Sequence, residues 1–352
     1  MKGVNLLYYN MAKVYFYKIE KQSPEVLEKA GREVSGIISK VFGSEDKLAV
    51  KVHFGEQGNI TYLGPDFTKA ICADLKNNVK SLTLVESTVL YKGKRSFASG
   101  HKKVALDHGF DFAPVEILDG ERGNEEVIIK INGKHFKEAK IGKGIEKFNS
   151  ILAVSHFKGH VAASFGGAIK NMGMGLGSKG GKMAMHKSFK IASNYTICTG
   201  CGICLNNCPA EAISLENGKV SINYKKCIGC GLCISICPAG AIEIPWQSQT
   251  GKELQEKIVE YAAAAIKGKK VFFVNVLINI TKFCDCQGSV MEPIMRDIGV
   301  LLSDDIVAIE EASLDLTGRE NFTREGFNPE DQINHAVLMG LGEKEYTLIN
   351  LN

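Results

Sequence analysis

Cys198-Thr-Gly-Cys201-Gly-Ile-Cys204-Leu-Asn-Asn-Cys208-Pro209 recurs at an offset of 29 residues as Cys227-Ile-Gly-Cys230-Gly-Leu-Cys233-Ile-Ser-Ile-Cys237-Pro238. The repeat extends beyond the thiols, because Pro209, Ala210, Ala212 and Ile213 return as Pro238, Ala239, Ala241 and Ile242. Each run has the C-x2-C-x2-C-x3-C-P spacing that holds a 4Fe–4S cluster in bacterial two-cluster proteins. Three closely spaced thiolates curl around one cluster, and the fourth, set off by proline, turns to the other. The expected ligand sets are therefore Cys198, Cys201, Cys204 with Cys237, and Cys227, Cys230, Cys233 with Cys208. Zinc sites usually show separated C-x2-C pairs, and disulfide frameworks belong to small secreted chains, so neither explains two four-cysteine runs.

Outward from this stretch the texture is alternating strand and helix, which argues an α/β sheet. Strands are expected at Lys13–Ile19, Leu48–Phe54, Ser81–Glu86, Ala113–Leu118, Ile151–Ser155, Val271–Ile280 and Tyr346–Leu351. Val271–Ile280 is apolar nearly throughout and reads as central. Helices are expected from Pro24 to about Phe42, Asp66 to Asn77, Phe97 to His108, Thr250 to Lys267, Asp305 to Gly318 and Pro329 to Met339. Asn132-Gly133 suggests a type I′ turn joining Glu126–Ile131 to Lys134–Lys140. The predicted fold is a discontinuous, Rossmann-like mixed α/β domain, residues 1–190 and 246–352, with a small cysteine-rich α+β module inserted at 191–245.

The chain has 352 residues, 45% of them hydrophobic, and no apolar run near the ~20 residues a membrane helix needs. No membrane association is expected. The start lacks the long apolar region of a leader, and Met11 opens a clean strand, so Met1–Asn10 reads as an extension. Eight of eleven cysteines fall in the two runs, leaving Cys72, Cys284 and Cys286. Exposed iron–sulfur clusters suit a reducing cytoplasm of low oxygen. The formal charge is +4, but eight thiolates and two oxidised cores bring the loaded chain near neutrality. A nucleic-acid partner is not expected.

In open α/β sheets ligands bind beyond the carboxyl ends of strands. Four expected strands end in chemically capable residues: His53-Phe-Gly-Glu56, Glu86-Ser-Thr88, His156-Phe-Lys158-Gly-His160 and Cys284-Asp-Cys286. A Gly- and Lys-rich stretch follows the third, with Gly166, Gly167, Lys170, Lys179, Lys182, Lys187 and Lys190, and no acid occurs between Glu146 and Glu211. Glycine-rich backbone and a helix beginning at Ala168 suit an anion. Its methionines, Met172, Met174, Met183 and Met185, argue for a folded rather than solvated segment. Cys284 and Cys286 point the same way in an extended chain and could bind a metal, act as a redox pair, or place one thiolate beside a cofactor.

Lys51-Val-His-Phe-Gly-Glu56, Tyr91-Lys-Gly-Lys-Arg95, Ser155-His-Phe-Lys-Gly-His160, Gly166-Gly-Ala-Ile-Lys-Asn-Met-Gly-Met-Gly175 and Cys284-Asp-Cys286 resemble the iron–sulfur proteins grouped as domain of unknown function 362. The resemblance runs from Ala12 and implies an α/β domain carrying a bacterial-type, two-cluster ferredoxin module. It implies no particular reaction. The first expectation is an oxidoreductase whose clusters take electrons from a redox partner protein and pass them to a site for an anionic small molecule or a flavin-like cofactor. His53, Glu56, His156, His160, Cys284 and Cys286 would be its chemical residues, with Lys94, Arg95, Lys158, Gly166, Gly167, Lys170 and Lys179 binding the ligand. The alternatives are a dedicated electron carrier docking an enzyme, and a lyase or racemase-like site using a further divalent metal, with structural clusters.

Overall fold

The computed structural model describes residues 11–186, 192–243 and 251–352. Met1–Asn10, Lys187, Lys190 and the module's expected ends near 191 and 245 lie outside the described residues. The chain begins β1 (Ala12–Lys18), α1 (Pro24–Ile38), β2 (Lys47–Lys51), α2 (Pro65–Leu75), β3 (Ser81–Glu86), α3 (Ala98–Asp107) and β4 (Val115–Ile117). Next come a hairpin, β5 (Glu126–Lys130) and β6 (Glu138–Gly142), then β7 (Ser150–His156), β8 (Lys158–His160), β9 (Ser164–Gly166), α4 (Ala168–Leu176) and α5 (Lys179–Met185). The cysteine-rich unit contains β10 (Ala192–Ser193), α6 (Ile203–Asn206), β11 (Ile213–Glu216), β12 (Lys219–Ile222), α7 (Leu232–Ile236) and β13 (Ile242–Glu243). The chain continues with α8 (Gly251–Ile266), β14 (Lys270–Leu277), β15 (Gly299–Ser303), α9 (Ile306–Thr317), α10 (Glu330–Leu338) and β16 (Tyr346–Asn350).

The main sheet has eight strands in the order β16-β1-β15-β14-β7-β2-β3-β4, and only β15 runs antiparallel to its neighbours. Alternate side chains go to opposite faces. On β7, Ile151 and Ala153 join a core built with α4, α8 and α9, while Leu152 and Val154 join one built with α1, α2 and α3. Both faces are covered, which is why β7 and β14 are apolar almost throughout. Start signals act where the sequence places them: Ser23 Oγ accepts from Val26 N–H ahead of Pro24, and Asp305 accepts from Val307 and Ala308. Among the described residues, no helix is long and apolar enough to cross a membrane.

Three local expectations change. β15 follows β14 only after the long loop that carries Cys284 and Cys286, and is too brief, at five residues before the Ser303-Asp-Asp305 cap, to stand out from its surroundings. The Asn132-Gly133 turn does not form. Neither residue has positive φ, and the loop is held instead by Glu260 of α8, which accepts from His135 and Phe136 N–H at 2.9 and 2.8 Å. The two-residue turn with both φ positive is Asn217-Gly218, between β11 and β12. Third, the segment after Gly167 is folded as expected, with Met172, Met183 and Met185 buried, but as two short helices, α4 and α5.

The chain moves outward from β2 to β3 and β4, then returns with β7 on the other edge of β2. That reversal leaves a crevice beyond the carboxyl ends of β2 and β7.

Candidate functional site

Two places gather chemistry. The first is the unit at 192–243, where the repeat in sequence becomes a repeat in structure. α6 and α7 each start after a left-handed glycine, Gly202 (φ 73) and Gly231 (φ 71), which reverses the chain between the second and third cysteines of its run. Cys198, Cys201, Cys204 and Cys237 line one cavity with Val220, Ala241 and Ile242. Cys208, Cys227, Cys230 and Cys233 line the other with Ile213, Ile222 and Leu232. The crossing cysteines are fixed alike: Ala212 N–H donates to Cys208 Sγ at 3.3 Å and Ala241 N–H to Cys237 Sγ at 3.2 Å.

Burial and neighbouring thiols push Cys233 up to about 12, and Cys204 and Cys230 upward for the same reasons. Four thiolates in such an apolar cavity call for a cationic centre. Among the described residues, no three His, Cys, Asp or Glu side chains converge closely enough to hold a single ion. The four thiols of each set line the wall of a cavity, a donor set of the kind a multi-atom iron–sulfur core would need.

The unit is docked on the α/β domain. Leu90 and Met183 complete its hydrophobic core. Lys92 Nζ donates to Pro238 C=O at 2.6 Å. A Cβ added to Gly231 would stand 2.5 Å from Leu90 Cδ1. The second cysteine run thus lies against the larger domain at Gly231.

The second place is the crevice. Lys51, His53, Glu86, Arg95, His156, Lys158, Gly166, Gly167, Lys170, Lys182, Cys284, Asp285 and Cys286 are among its walls. β2 delivers Lys51 and the chain just beyond it His53, β3 delivers Glu86, β7 delivers His156, and the loop after β14 delivers the Cys-Asp-Cys tripeptide. Gly175 on α4 makes room for Lys51, since a Cβ there would lie 2.5 Å from Lys51 Cε.

Two carboxylates organise these cations. Glu86 accepts from Lys51 Nζ and His53 Nδ1, each at 3.0 Å. Burial opposes its ionisation, yet Lys51 and His53 hold it well below the usual carboxylate range. Asp285 sits 2.9 Å from His156 Nδ1 and 2.8 Å from Lys158 Nζ, and is likewise held ionised against burial. His156 Nε2 donates to Ile278 C=O at 2.7 Å. Both of its ring nitrogens are therefore engaged, and its role is to pin the tripeptide to the ends of β7 and β14.

His53 Nε2 lies 4.0 Å from Cys286 Sγ, so Glu86, His53 and Cys286 form a line. Burial and Arg95 disfavour a charged His53, but Cys286 and Glu86 overcome them and raise its pKa. A hydrogen bond from Cys284 lowers the Cys286 pKa well below that of an ordinary thiol, and His53 and Lys170 lower it further against burial. Cys284, as the donor of that bond, is raised. The arrangement favours the thiolate at Cys286 over Cys284. Burial brings Lys182 down to about 8 despite Asp119 and Glu86. Lys170 Nζ has no hydrogen-bond or ion-pair partner among the described residues.

Other expected site residues stand elsewhere. Glu56 lies behind the crevice, accepting from Arg95 Nε at 3.0 Å and Tyr91 OH at 2.7 Å, so it positions Arg95. Lys94 is exposed on a single turn of 3-10 helix that also carries Arg95. Lys179 is buried, donates to Ser96 C=O at 2.6 Å, and packs toward Gly231. His160 lines an adjoining outer cavity, its Nδ1 accepting from Ala162 and Ala163 N–H. The amino end of α4 is not open to a ligand, because Glu310 takes Ile169 N–H at 2.7 Å. Lys51 and Lys182 were not singled out as ligand-binding from the sequence. Lys51 is the last residue of an apolar strand, and only the parallel register of β2 with β3 puts it against Glu86.

The chain belongs to the family described as domain of unknown function (DUF362), which it matches over residues 48–315. No curated protein matches it. Among solved structures it is similar to the lactate racemase apoprotein of Thermoanaerobacterium thermosaccharolyticum, at 13% identity and a TM-score of 0.40, over 76% of this chain and 51% of that one. It is also similar to a structural-genomics protein from Thermotoga maritima, at 10% identity and 0.42, over 91% of this chain and 60% of that one. The chain thus spans roughly half to three-fifths of these structures' length, and likeness at this level carries no argument about activity.

Proposed function

We propose that the chain is an iron–sulfur redox protein. Cys198, Cys201, Cys204 and Cys237 would hold one 4Fe–4S cluster, Cys208, Cys227, Cys230 and Cys233 the other, and the crevice would bind an anionic ligand beside the Cys286 thiolate. The observation that carries this is the exchange between repeats, in which each cavity is walled by three thiols of one run and the fourth of the other. When bound, such clusters supply single electrons at low potential.

The rest falls to the chain's own groups. Lys170 offers an uncommitted ammonium to a carboxylate or phosphate, while Arg95 and Lys182 add positive charge and Asp285 keeps Lys158 at the wall. Glu86 orients His53 through Nδ1, leaving Nε2 to exchange a proton with Cys286 or with a ligand atom between them. The test is anaerobic purification with iron and sulfide analysis, for which about eight of each per chain is the expected result and about four would overturn the assignment. In Cys208→Ser the signal of the cluster at Cys227, Cys230 and Cys233 should change. Loss of the Cys198 cluster instead would show self-contained runs.

A second reading is favoured by one feature: none of the eight repeat cysteines lines the inner crevice. Glu86, His53 and Cys286 beside the lysines are also suited to removing a proton next to a carboxylate, a lyase or racemase-like reaction with structural clusters. Ligand deuteration in D2O by oxidised protein would favour this reading. Turnover only after reduction would favour the first.

A further inference from the structure

The inner crevice is small. Its volume is about 80 Å³, too little for the 300–1,000 Å³ typical of a ligand pocket. It opens on an outer cavity of about 440 Å³, walled by Val89, Leu90, Tyr91, Val161, Ala162, Met174 and Phe283 with His160 and His186. The two spaces share Lys170, Lys182, Cys284 and Cys286, together with Val89 and Met174. Charge and space are therefore segregated: Lys51, His53 and Lys158 lie inside with Glu86 and Asp285, the apolar volume lies outside, and Lys170, Lys182, Cys284 and Cys286 stand at the neck.

We infer that the ligand is an amphipathic anion, a carboxylate or phosphate head within a few bonds of an apolar body, held so that the atoms next to the head lie against Cys286. This rests on the reading of the crevice as an anion site and specifies its substrate class. A small inorganic anion would leave the outer cavity filled with water against apolar walls, and displacing that water is favourable. Leu90 also touches Gly231 of the cysteine-rich unit, so the body of the ligand would rest on the side chain that joins the two parts of the chain.

The test uses intact, cluster-loaded protein under anaerobic conditions and calorimetric titration with acetate, inorganic phosphate, octanoate, phenylacetate, phenylphosphate and neutral octanamide. Octanoate and phenylacetate should bind at least tenfold more tightly than acetate, and octanamide at least tenfold more weakly than octanoate. The double substitution V161S/F283S should remove most of the advantage of the apolar body and leave acetate binding unchanged. Phenylphosphate against phenylacetate decides which head is preferred. Equal affinity for tailed and untailed anions, or an equal loss for both in V161S/F283S, would overturn the inference while sparing the anion site. Binding of octanamide as tight as octanoate, or of no anion at all, would overturn the anion site itself and this inference with it.

Discussion

The cysteine-rich unit and the crevice solve the same problem, placing reactive groups around a space, by opposite means. In the unit every group comes from a run of eleven residues and its copy, and left-handed glycines bend the backbone around each cavity. In the crevice the groups come from Lys51 to Cys286, and what fixes them is buried charge: Glu86 holds Lys51 and His53, and Asp285 holds His156 and Lys158. A local ligand set can depend on what it binds. A distributed one has to be assembled by the fold beforehand.

The largest effect that would sharpen this contrast is iron removal. Among the described residues, the unit's core has nine buried side chains, two of them cysteines of the runs and two more, Leu90 and Met183, borrowed from the larger domain. A unit that small rarely folds without metal or cross-links. Anaerobic chelation should expose 192–243 to protease while the circular dichroism of the main sheet persists. Simultaneous loss of both would show that the regions are not independent.

Next is Asp285→Ala. It leaves His156 and Lys158 buried without their carboxylate, which should cost about 3–5 kcal/mol in denaturant unfolding of the α/β domain. A loss under about 1 kcal/mol would mean that water reaches the pair. Smaller again is Lys170→Ala, expected to weaken anion binding by about 1.5–3 kcal/mol, the range for a hydrogen bond to a charged group, with cluster content unchanged. Loss of clusters together with the ligand would join what the comparison separates.

A pH series gives an effect of comparable size. Burial raises Glu310 to about 7, against backbone and Asn275 hydrogen bonds that lower it. The folded chain then keeps a proton that the unfolded chain releases above about 4.5, so this group's contribution declines as pH rises from there through 7. Between pH 5 and 8 the native chain should lose about 2 kcal/mol relative to Glu310→Gln. Parallel curves would show that Glu310 stays charged at the amino end of α4.

The contrast also explains what the sequence made legible. The grouping of Cys198 to Cys237 into two sets of four was legible because spacing carries it, and the same sets wall two cavities. The crevice was legible at its rims, since His53, His156 and Cys284 follow strand ends. Partnership was not: nothing near Glu56 tells that it faces Arg95 rather than the ligand, nothing near Lys179 that it turns toward Gly231, and nothing near Ile169 that Glu310, far along the chain, closes its N–H. The Asn132-Gly133 turn failed for the same reason, a long-range carboxylate from α8 overriding a local preference.

On the reading proposed above, the crevice joins a reactive thiolate to a cationic anion site. Alkylation of the intact, anaerobic, cluster-loaded protein tests it most directly, with each cysteine followed by mass spectrometry from pH 5 to 9. Cys286 should label quickly even at pH 6, well below the ordinary thiol pKa of about 8.5, and be protected by octanoate. Cys72, pushed up to about 12 by burial, should label only on unfolding, and Cys284 slowly. In His53→Gln the pH midpoint for Cys286 should move upward. Labelling of Cys286 as slow as that of Cys72, with no response to octanoate or to His53→Gln, would contradict the claim and leave the tripeptide as packing beyond a central strand.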